Sequence, residues 1–504
     1  MKQIKLFLSL LFLLSLLSSC IKADEDIHPK ENIVPTKEIH KRELLKNYTL
    51  LYKELPGTVD NLPDMLQYGL FYWRLRSNSF YWDWRSPDKS TNDHSITGLG
   101  GSLVYKSNTL VDFDFSLAGY FSRAFFKDTK DLIDALKPGK DLLSRYDYIN
   151  DGQKHLAVLG QAFLRYSGFK SSKIRIGRQL VETFYTKSND SKMIPNTFDG
   201  IVLDSHLVPH TKIRLAYLVR EKLRDHATDH ALLAFGDANA SDKLMPQWSE
   251  NDDSAMHRGL TYSRLKAAGV DPYRPLIVGD LHNTEIENIR LDGSFYIVPQ
   301  LLSQAMVELN WHFQATEKLT VTPGLRYIHQ FDNGAGAIGG ASYFGNIGAN
   351  LNAYNNPNSL NAQMIAARVI FEYGDWIANL GYTNILDEAD LITPWRGFPT
   401  AGYTRSMDQY NWKANTKSYR IDIQHNLRQE GNYKNLFVEF AYLYTDEDES
   451  KSLLNSNRSN IYLGLIQNLP WMEDLQWRLR VGYTDAKNDL FNFIDARFEL
   501  NYLF

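Results

Sequence analysis

From Leu66 to the C-terminal Phe504, the chain alternates large apolar side chains with polar or charged ones at a period of two, in runs of strand length. In 111–121, Val111, Phe113, Phe115 and Leu117 alternate with Asp112, Asp114 and Ser116. The last run sets Ile494, Ala496, Phe498, Leu500, Tyr502 and Phe504 on one face and Asp495, Arg497, Glu499 and Asn501 on the other. Successive side chains of a strand point to opposite faces, so these runs read as strands of a sheet with one greasy face. A soluble sandwich would alternate in the same way; the connections separate the two readings. About eighteen such segments can be delimited: roughly 66–76, 96–106, 110–121, 155–166, 173–180, 198–204, 211–220, 275–282, 286–297, 302–313, 318–330, 362–373, 375–385, 417–426, 435–446, 459–468, 475–485 and 490–504. Most have the roughly 9–11 residues that a tilted strand needs to cross a bilayer. Linkers after even-numbered strands are all short, whereas those after odd-numbered strands include 77–95, 122–154, 221–274, 331–361 and 386–416. Loops sorted by parity, with an even strand count, point to an all-β transmembrane antiparallel β-barrel with short periplasmic turns and long extracellular loops; sixteen strands is the alternative count.

Composition narrows the field in the same direction. The chain is 43% hydrophobic, yet after its first twenty residues no stretch approaches the roughly 18–20 consecutive apolar residues of a membrane helix. Lys+Arg number 55 against 59 Asp+Glu, a net charge of −4, which argues against a strongly basic nucleic-acid binder. A single cysteine excludes a disulfide scaffold and a multi-cysteine metal cluster.

That cysteine ends a secretory signal. Lys2 and Lys5 precede an apolar run from Leu6 to Leu17, too short to span a membrane, and residues 1–20 close on Leu17-Ser18-Ser19-Cys20. This motif resembles the bacterial lipobox, which makes Cys20 a candidate for lipidation; the alternative is a cut near Ala23. Residues 21–60 form a charged periplasmic segment in which Lys37 to Leu55, with Ile39, Leu44, Leu45, Leu51 and Leu55, is compatible with a helix. Residues 61–504 form the barrel, so the expected location is the bacterial outer membrane.

In a bilayer the apolar face must meet lipid and the backbone must be fully paired, which closure of the sheet achieves. Tyr72, Trp73, Tyr382, Tyr444, Tyr462, Trp471 and Trp477 near strand ends suit interfacial girdles. By parity the lumen then collects Arg74, Arg76, Arg175, Arg214, Arg326, Arg368, Arg420, Arg478, Arg480 and Arg497, opposite acids such as Glu308, Asp422, Asp495 and Glu499. Such charges would be costly in a dry core but stay hydrated in a water-filled channel, where fixed charge sets solute preference. The expected function is passive diffusion of small solutes, carboxylates above all, along an arginine track. The competing readings are a mixed-charge lumen with no track, and a plugged structural or adhesive barrel that displays its long loops. The terminal Phe504, after Phe498, Leu500 and Tyr502, looks like the signal read by the barrel-assembly machinery.

Several stretches resemble the OprD-type outer-membrane porins, in particular the epsilonproteobacterial major outer-membrane proteins. They are Ile174-Arg175-Ile176-Gly177-Arg178-Gln179, Asn189-Asp190-Ser191-Lys192-Met193-Ile194-Pro195-Asn196-Thr197-Phe198-Asp199-Gly200, the run from Glu250 to Leu260, and Trp395-Arg396-Gly397-Phe398-Pro399-Thr400-Ala401-Gly402-Tyr403-Thr404-Arg405-Ser406. The resemblance implies an 18-stranded monomer barrel, often packed as a homotrimer, whose third long loop folds inward and narrows the pore. It also implies that the basic residue of the Asn-Asp-Ser-basic motif, here Lys192, faces the constriction. A lysine keeps the charge but lacks the planar fork with which arginine grips a carboxylate. The lipobox and the 21–60 segment depart from the family pattern.

Enzymatic signatures are weak. His226 and His230 have i, i+4 spacing, but the glutamate of a zinc-protease motif is missing and the pair falls in a long loop. No nucleophile elbow or phosphate-binding glycine loop is present, so neither a cofactor nor a metal is expected.

Overall fold

The computed structural model describes residues 41–86, 93–126, 142–188, 192–237, 253, 255–345, 349–427 and 431–504. Eighteen strands form a closed antiparallel barrel. They begin with Leu70–Trp84 (β1), His94–Lys106 (β2), Phe113–Phe125 (β3), His155–Phe169 (β4), Ser172–Gln179 (β5) and Thr197–Ser205 (β6). Thr211–Lys222 (β7), Leu276–Asn283 (β8), Ile289–Val298 (β9), Leu302–Trp311 (β10), Leu319–Asp332 (β11) and Ala362–Tyr373 (β12) follow. Trp376–Ile385 (β13), Thr416–Leu427 (β14), Leu436–Asp446 (β15), Arg458–Leu469 (β16), Met472–Ala486 (β17) and Phe493–Leu503 (β18) complete the ring. Each strand pairs with its neighbours in sequence, and β18 pairs with β1 from Phe493↔Trp84 to Leu503↔Arg74, which leaves no edge. The seam continues one residue further: Trp73 and Phe504 exchange backbone hydrogen bonds of 2.8 and 3.1 Å, and their rings stack.

The alternation read from the sequence is realised as two surfaces. In β3, Phe113, Leu117, Phe121 and Phe125 are exposed, while Asp114, Ser116, Tyr120 and Ser122 are buried. In β1, Phe71, Trp73 and Leu75 face out while Arg74, Arg76 and Asn78 are buried. A ring of exposed apolar side chains around closed, fully paired strands is what a lipid environment demands. Two residues assigned to the girdles face the other way: Tyr72 is buried beside Arg74 and Arg76, and Tyr462 shares the inward parity of Asn460 and Gly464. Their neighbours in the strand set the parity, and proximity to a strand end does not.

All eighteen expected segments are strands, with shifted ends. Residues 62–67 form a short helix, so β1 starts at Leu70; it then runs on to Trp84, reducing the expected 77–95 loop to 85–93. Turns after even-numbered strands span two to eight residues, from 170–171 to 428–435. Within 41–55 there is no helix; Arg42–Leu44 and Leu50–Tyr52 pair as an antiparallel hairpin. The apolar residues of this segment follow strand spacing as easily as helical spacing, and tertiary contacts decide between them. Residues 1–40, with Cys20, and Asn189 to Ser191, Glu250 to Asp252 and Ser254 of two loop motifs lie outside the described residues.

Candidate functional site: the barrel interior and its inward loops

The long loops turn into the barrel. One apolar cluster joins Val181 and Tyr185 of the β5–β6 loop, Leu232 and Leu260 of the β7–β8 loop, Ala341 and Phe344 of the β11–β12 loop, and Trp395 and Trp412 of the β13–β14 loop to wall residues such as Tyr296 and Met364. The loops also join through backbone and side-chain hydrogen bonds. Lys187 N–H donates to Trp395 O at 2.9 Å, Gly397 N–H to Tyr185 O at 3.1 Å, and Trp395 Nε1 to Leu232 O at 2.7 Å. Gly397 permits the contact between the β5–β6 and β13–β14 loops, since a Cβ there would lie 2.2 Å from Phe184 O. Buried Asp390 binds the β11–β12 loop: Ser342 Oγ, Tyr343 N–H and Tyr354 O–H donate to its carboxylate, together with Ala414 N–H. Burial holds the Asp390 carboxyl above its usual pKa despite these donors.

The tip of the β5–β6 loop crosses to the wall formed by the first strands. Met193 and Ile194 are buried against Tyr72, Phe80 and Tyr120, and the Lys192 ammonium stands 4.7 Å from the centre of the Phe80 ring. Arg497 approaches the same ring at 5.6 Å, and Arg76 Nη1 donates to the Lys192 carbonyl. Lys192, singled out in the sequence, therefore lies on an inward wall with cations of β1 and β18 near it.

All ten arginines singled out in the sequence lie on strands, and each has a partner from the protein itself. Arg74 and Arg76 donate to Asn501 Oδ1 at 2.8 and 3.0 Å. Arg175 and Arg214 share Asp204, and Arg214 also donates to Glu182 O of the inward loop at 2.6 Å. Arg326 and Arg368 share Glu308 and fasten the β13–β14 loop, donating to the carbonyls of Pro399, Ala401 and Gly402 at 2.8 Å each. Arg420 lies between Asp422 and Glu439 at 2.9 and 3.0 Å. Arg480 pairs with Glu499 and Arg497 with Asp495, while Arg478 reaches the N-terminal hairpin. The interior is a cross-paired mosaic in which several arginines act as loop fasteners.

One cation that the sequence reasoning did not assign stands apart. Arg405, in the β13–β14 loop, lies over the faces of Phe398, Tyr410 and Trp412 at 4.5, 5.5 and 5.9 Å. Its Nε and Nη1 make no hydrogen bond among the described residues. Burial pushes its pKa down to about 10, opposed by Tyr410 and Asp408 and aided by the charges of Arg396 and Arg497, so it stays protonated at neutral pH. In the sequence, the aromatic residues of Trp395–Ser406 and just beyond are the signal that marks it.

The histidine pair is not arranged as a metal site. His230 Nε2 accepts from Leu223 N–H at 3.2 Å and its Nδ1 lies 2.9 Å from Ala231 O, while His226 Nδ1 faces Asp225 at 3.1 Å. Among the described residues no group of three or more potential ligands gathers for a metal ion.

The chain matches no protein-family model and no curated protein. Solved structures do match along most of its length. OccK8 (OprE) of Pseudomonas aeruginosa superposes with a TM-score of 0.65 at 13% identity, over 87% of this chain and 99% of that one. Acinetobacter baumannii OccAB1 gives 0.65 at 14% identity, over 87% and 97%. Pseudomonas aeruginosa OpdK, solved with vanillate, gives 0.62 at 12% identity, over 86% and 98%. The eighteen-stranded closure, the inward third loop and these superpositions together assign the chain the fold of the OprD-type porins.

Proposed function

We propose that the protein is an outer-membrane porin through which small carboxylate-bearing solutes diffuse passively. The observation that carries this reading is that cations from separate parts of the chain gather inside the barrel: Lys192 of the β5–β6 loop and Arg497 of β18 on one aromatic ring, with Arg405 of the β13–β14 loop within electrostatic reach of Arg497. Lys192 and Arg497 both approach Phe80, and Arg405 offers an aromatic-backed guanidinium whose Nε and Nη1 make no hydrogen bond among the described residues, with Asp408 as its nearby acid. Fixed positive charge in a narrow passage favours anions, and an aromatic shelf adds affinity for flat solutes. The OpdK neighbour, solved with vanillate, an aromatic carboxylate, supports the same solute class. The strand-borne arginines contribute to the field, although their partners offset much of their charge. Arg405→Gln should lower carboxylate permeation several-fold in liposome swelling while sugar permeation stays level; equal losses for both would remove the assignment.

A second reading, a structural or adhesive barrel with a closed interior, is favoured by the packed body that the inward loops form. Conductance steps in a planar bilayer separate the two, since a closed barrel gives none. The loop motifs support a place in the major-outer-membrane-protein branch. The stacking of Phe504 on Trp73 at the seam supports a C-terminal strand presented to the assembly machinery. Lipidation at Cys20 is inferred from the lipobox alone: labelled palmitate should enter the wild-type protein and not Cys20→Ser, and labelling of neither would reject it.

A further inference from the structure

Residues 41–53 do not hang free of the barrel. The hairpin lies against the inward face at the short-turn end, where its backbone and side chains meet β1, β2, β15, β17 and β18. Gln476 Nε2 donates to Leu44 O at 2.8 Å, and Arg478 donates to the carbonyls of Leu45 and Lys46 at 2.7 and 2.8 Å. Tyr52 packs edge-on against Tyr72 at 4.9 Å, and the Lys106 ammonium lies 3.5 Å above its ring. The Lys46 ammonium stands 4.1 Å over Phe437.

The tip residue enters furthest. Tyr48 lies 3.7 Å beneath the Arg478 guanidinium and 5.4 Å from that of Arg480, and its hydroxyl donates to Glu499 at 3.1 Å. It adopts φ 69°, a left-handed conformation that a bulky residue takes only when its surroundings hold it there. Two carbonyl oxygens on one guanidinium, with an aromatic face below it, reproduce what a solute carboxylate with an aromatic ring would offer Arg478. Beside the hairpin lies a cavity of about 320 Å³, lined by Arg42, Lys46, Asn435, Gln467, Glu473 and Gln476 among others. The hairpin thus narrows this mouth with polar space beside it.

We propose that the hairpin of residues 41–53 is the channel's second selectivity element, an internal plug at the periplasmic mouth. In this role the Leu45 and Lys46 carbonyls and the Tyr48 ring occupy the last anion position of the passage, on Arg478, and a carboxylate solute leaves by displacing them. The proposal rests on the porin reading above and adds the place where exit is controlled. Neighbouring strands lie about 4.8 Å apart, so a two-stranded hairpin removes roughly 10 Å of lumen width.

The test compares single-channel conductance of the full chain, of a variant lacking residues 41–53 with its signal retained, and of Tyr48→Ala, which keeps the hairpin backbone. Folding of each is checked by heat-modifiable gel mobility. Removal of the hairpin should raise conductance about twofold or more, a scale set by the width it occupies, and weaken discrimination between carboxylates and chloride. Tyr48→Ala should move both readings the same way by less. Folded variants that conduct and discriminate like the full chain would overturn the plug while leaving the porin reading intact. Silence from every folded form would overturn both. If the deletion does not fold, Tyr48→Ala decides: unchanged conductance and discrimination reject the plug.

Discussion

Asp390→Ala should release the β11–β12 and β13–β14 loops from one another while the barrel stays closed. The carboxylate is buried and accepts from Ser342, Tyr343, Tyr354 and Ala414, so alanine strands four donors in a space water barely reaches. Each stranded donor costs about 1–3 kcal/mol, and relief of the carboxylate's own burial offsets part of that, so a net loss of about 3 kcal/mol is expected. Hydrogen exchange in 333–361 and 386–415 should rise by about two orders of magnitude, with exchange in the strands unchanged. Asp390→Asn keeps the shape but turns an amide NH2 towards two of the donors, and should fall between. Full protection of both loops in the alanine variant would mean that apolar packing alone holds them.

Glu308→Ala should shift ion preference as well as stability. Its carboxylate neutralises Arg326 and Arg368 and accepts from Asn310 Nδ2 at 2.9 Å. Removing one partner of a buried ion network costs roughly 3–5 kcal/mol, and the lower figure suits this site because the arginines keep the carbonyls of Pro399, Ala401 and Gly402. One negative charge lost beside two guanidinium groups should make the passage more anion-selective. The reversal potential in a salt gradient reads this directly. A potential equal to wild type would place Glu308 and its arginines outside the conducting path, as loop anchors only.

The inward direction of Arg326 and Arg368 is legible in the sequence, because side-chain direction in a strand depends only on parity with its neighbours. Their work as fasteners of residues 399–402 was invisible, because it depends on a loop some thirty residues or more away in sequence turning back into the barrel. A motif marks Lys192, whereas nothing within the stretch Trp395–Ser406 alone distinguishes Arg405 from Arg396. The aromatic shelf of Arg405, made by Phe398, Tyr410 and Trp412, assembles only when the loop closes on itself.

The hairpin at 41–53 shows the same boundary from the other side. Its sequence is short and charged, with apolar residues that suit either period, so nothing local favours hairpin over helix. Arg478, Arg480 and Glu499, more than four hundred residues later, supply the contacts that settle it.

Alternation, strand length and loop parity point by themselves to about eighteen strands, to their two faces and to a closed sheet, and the structure fixes the count at eighteen. Strict pairing of every backbone group leaves few other arrangements for such a pattern in a bilayer. Which arginines are occupied by loop carbonyls, by acids or by the chain's own N-terminal segment was decided by long-range packing inside the barrel. Charge in a sequence can be counted, but its neutralisation depends on distances that only the closed structure brings within a few ångströms.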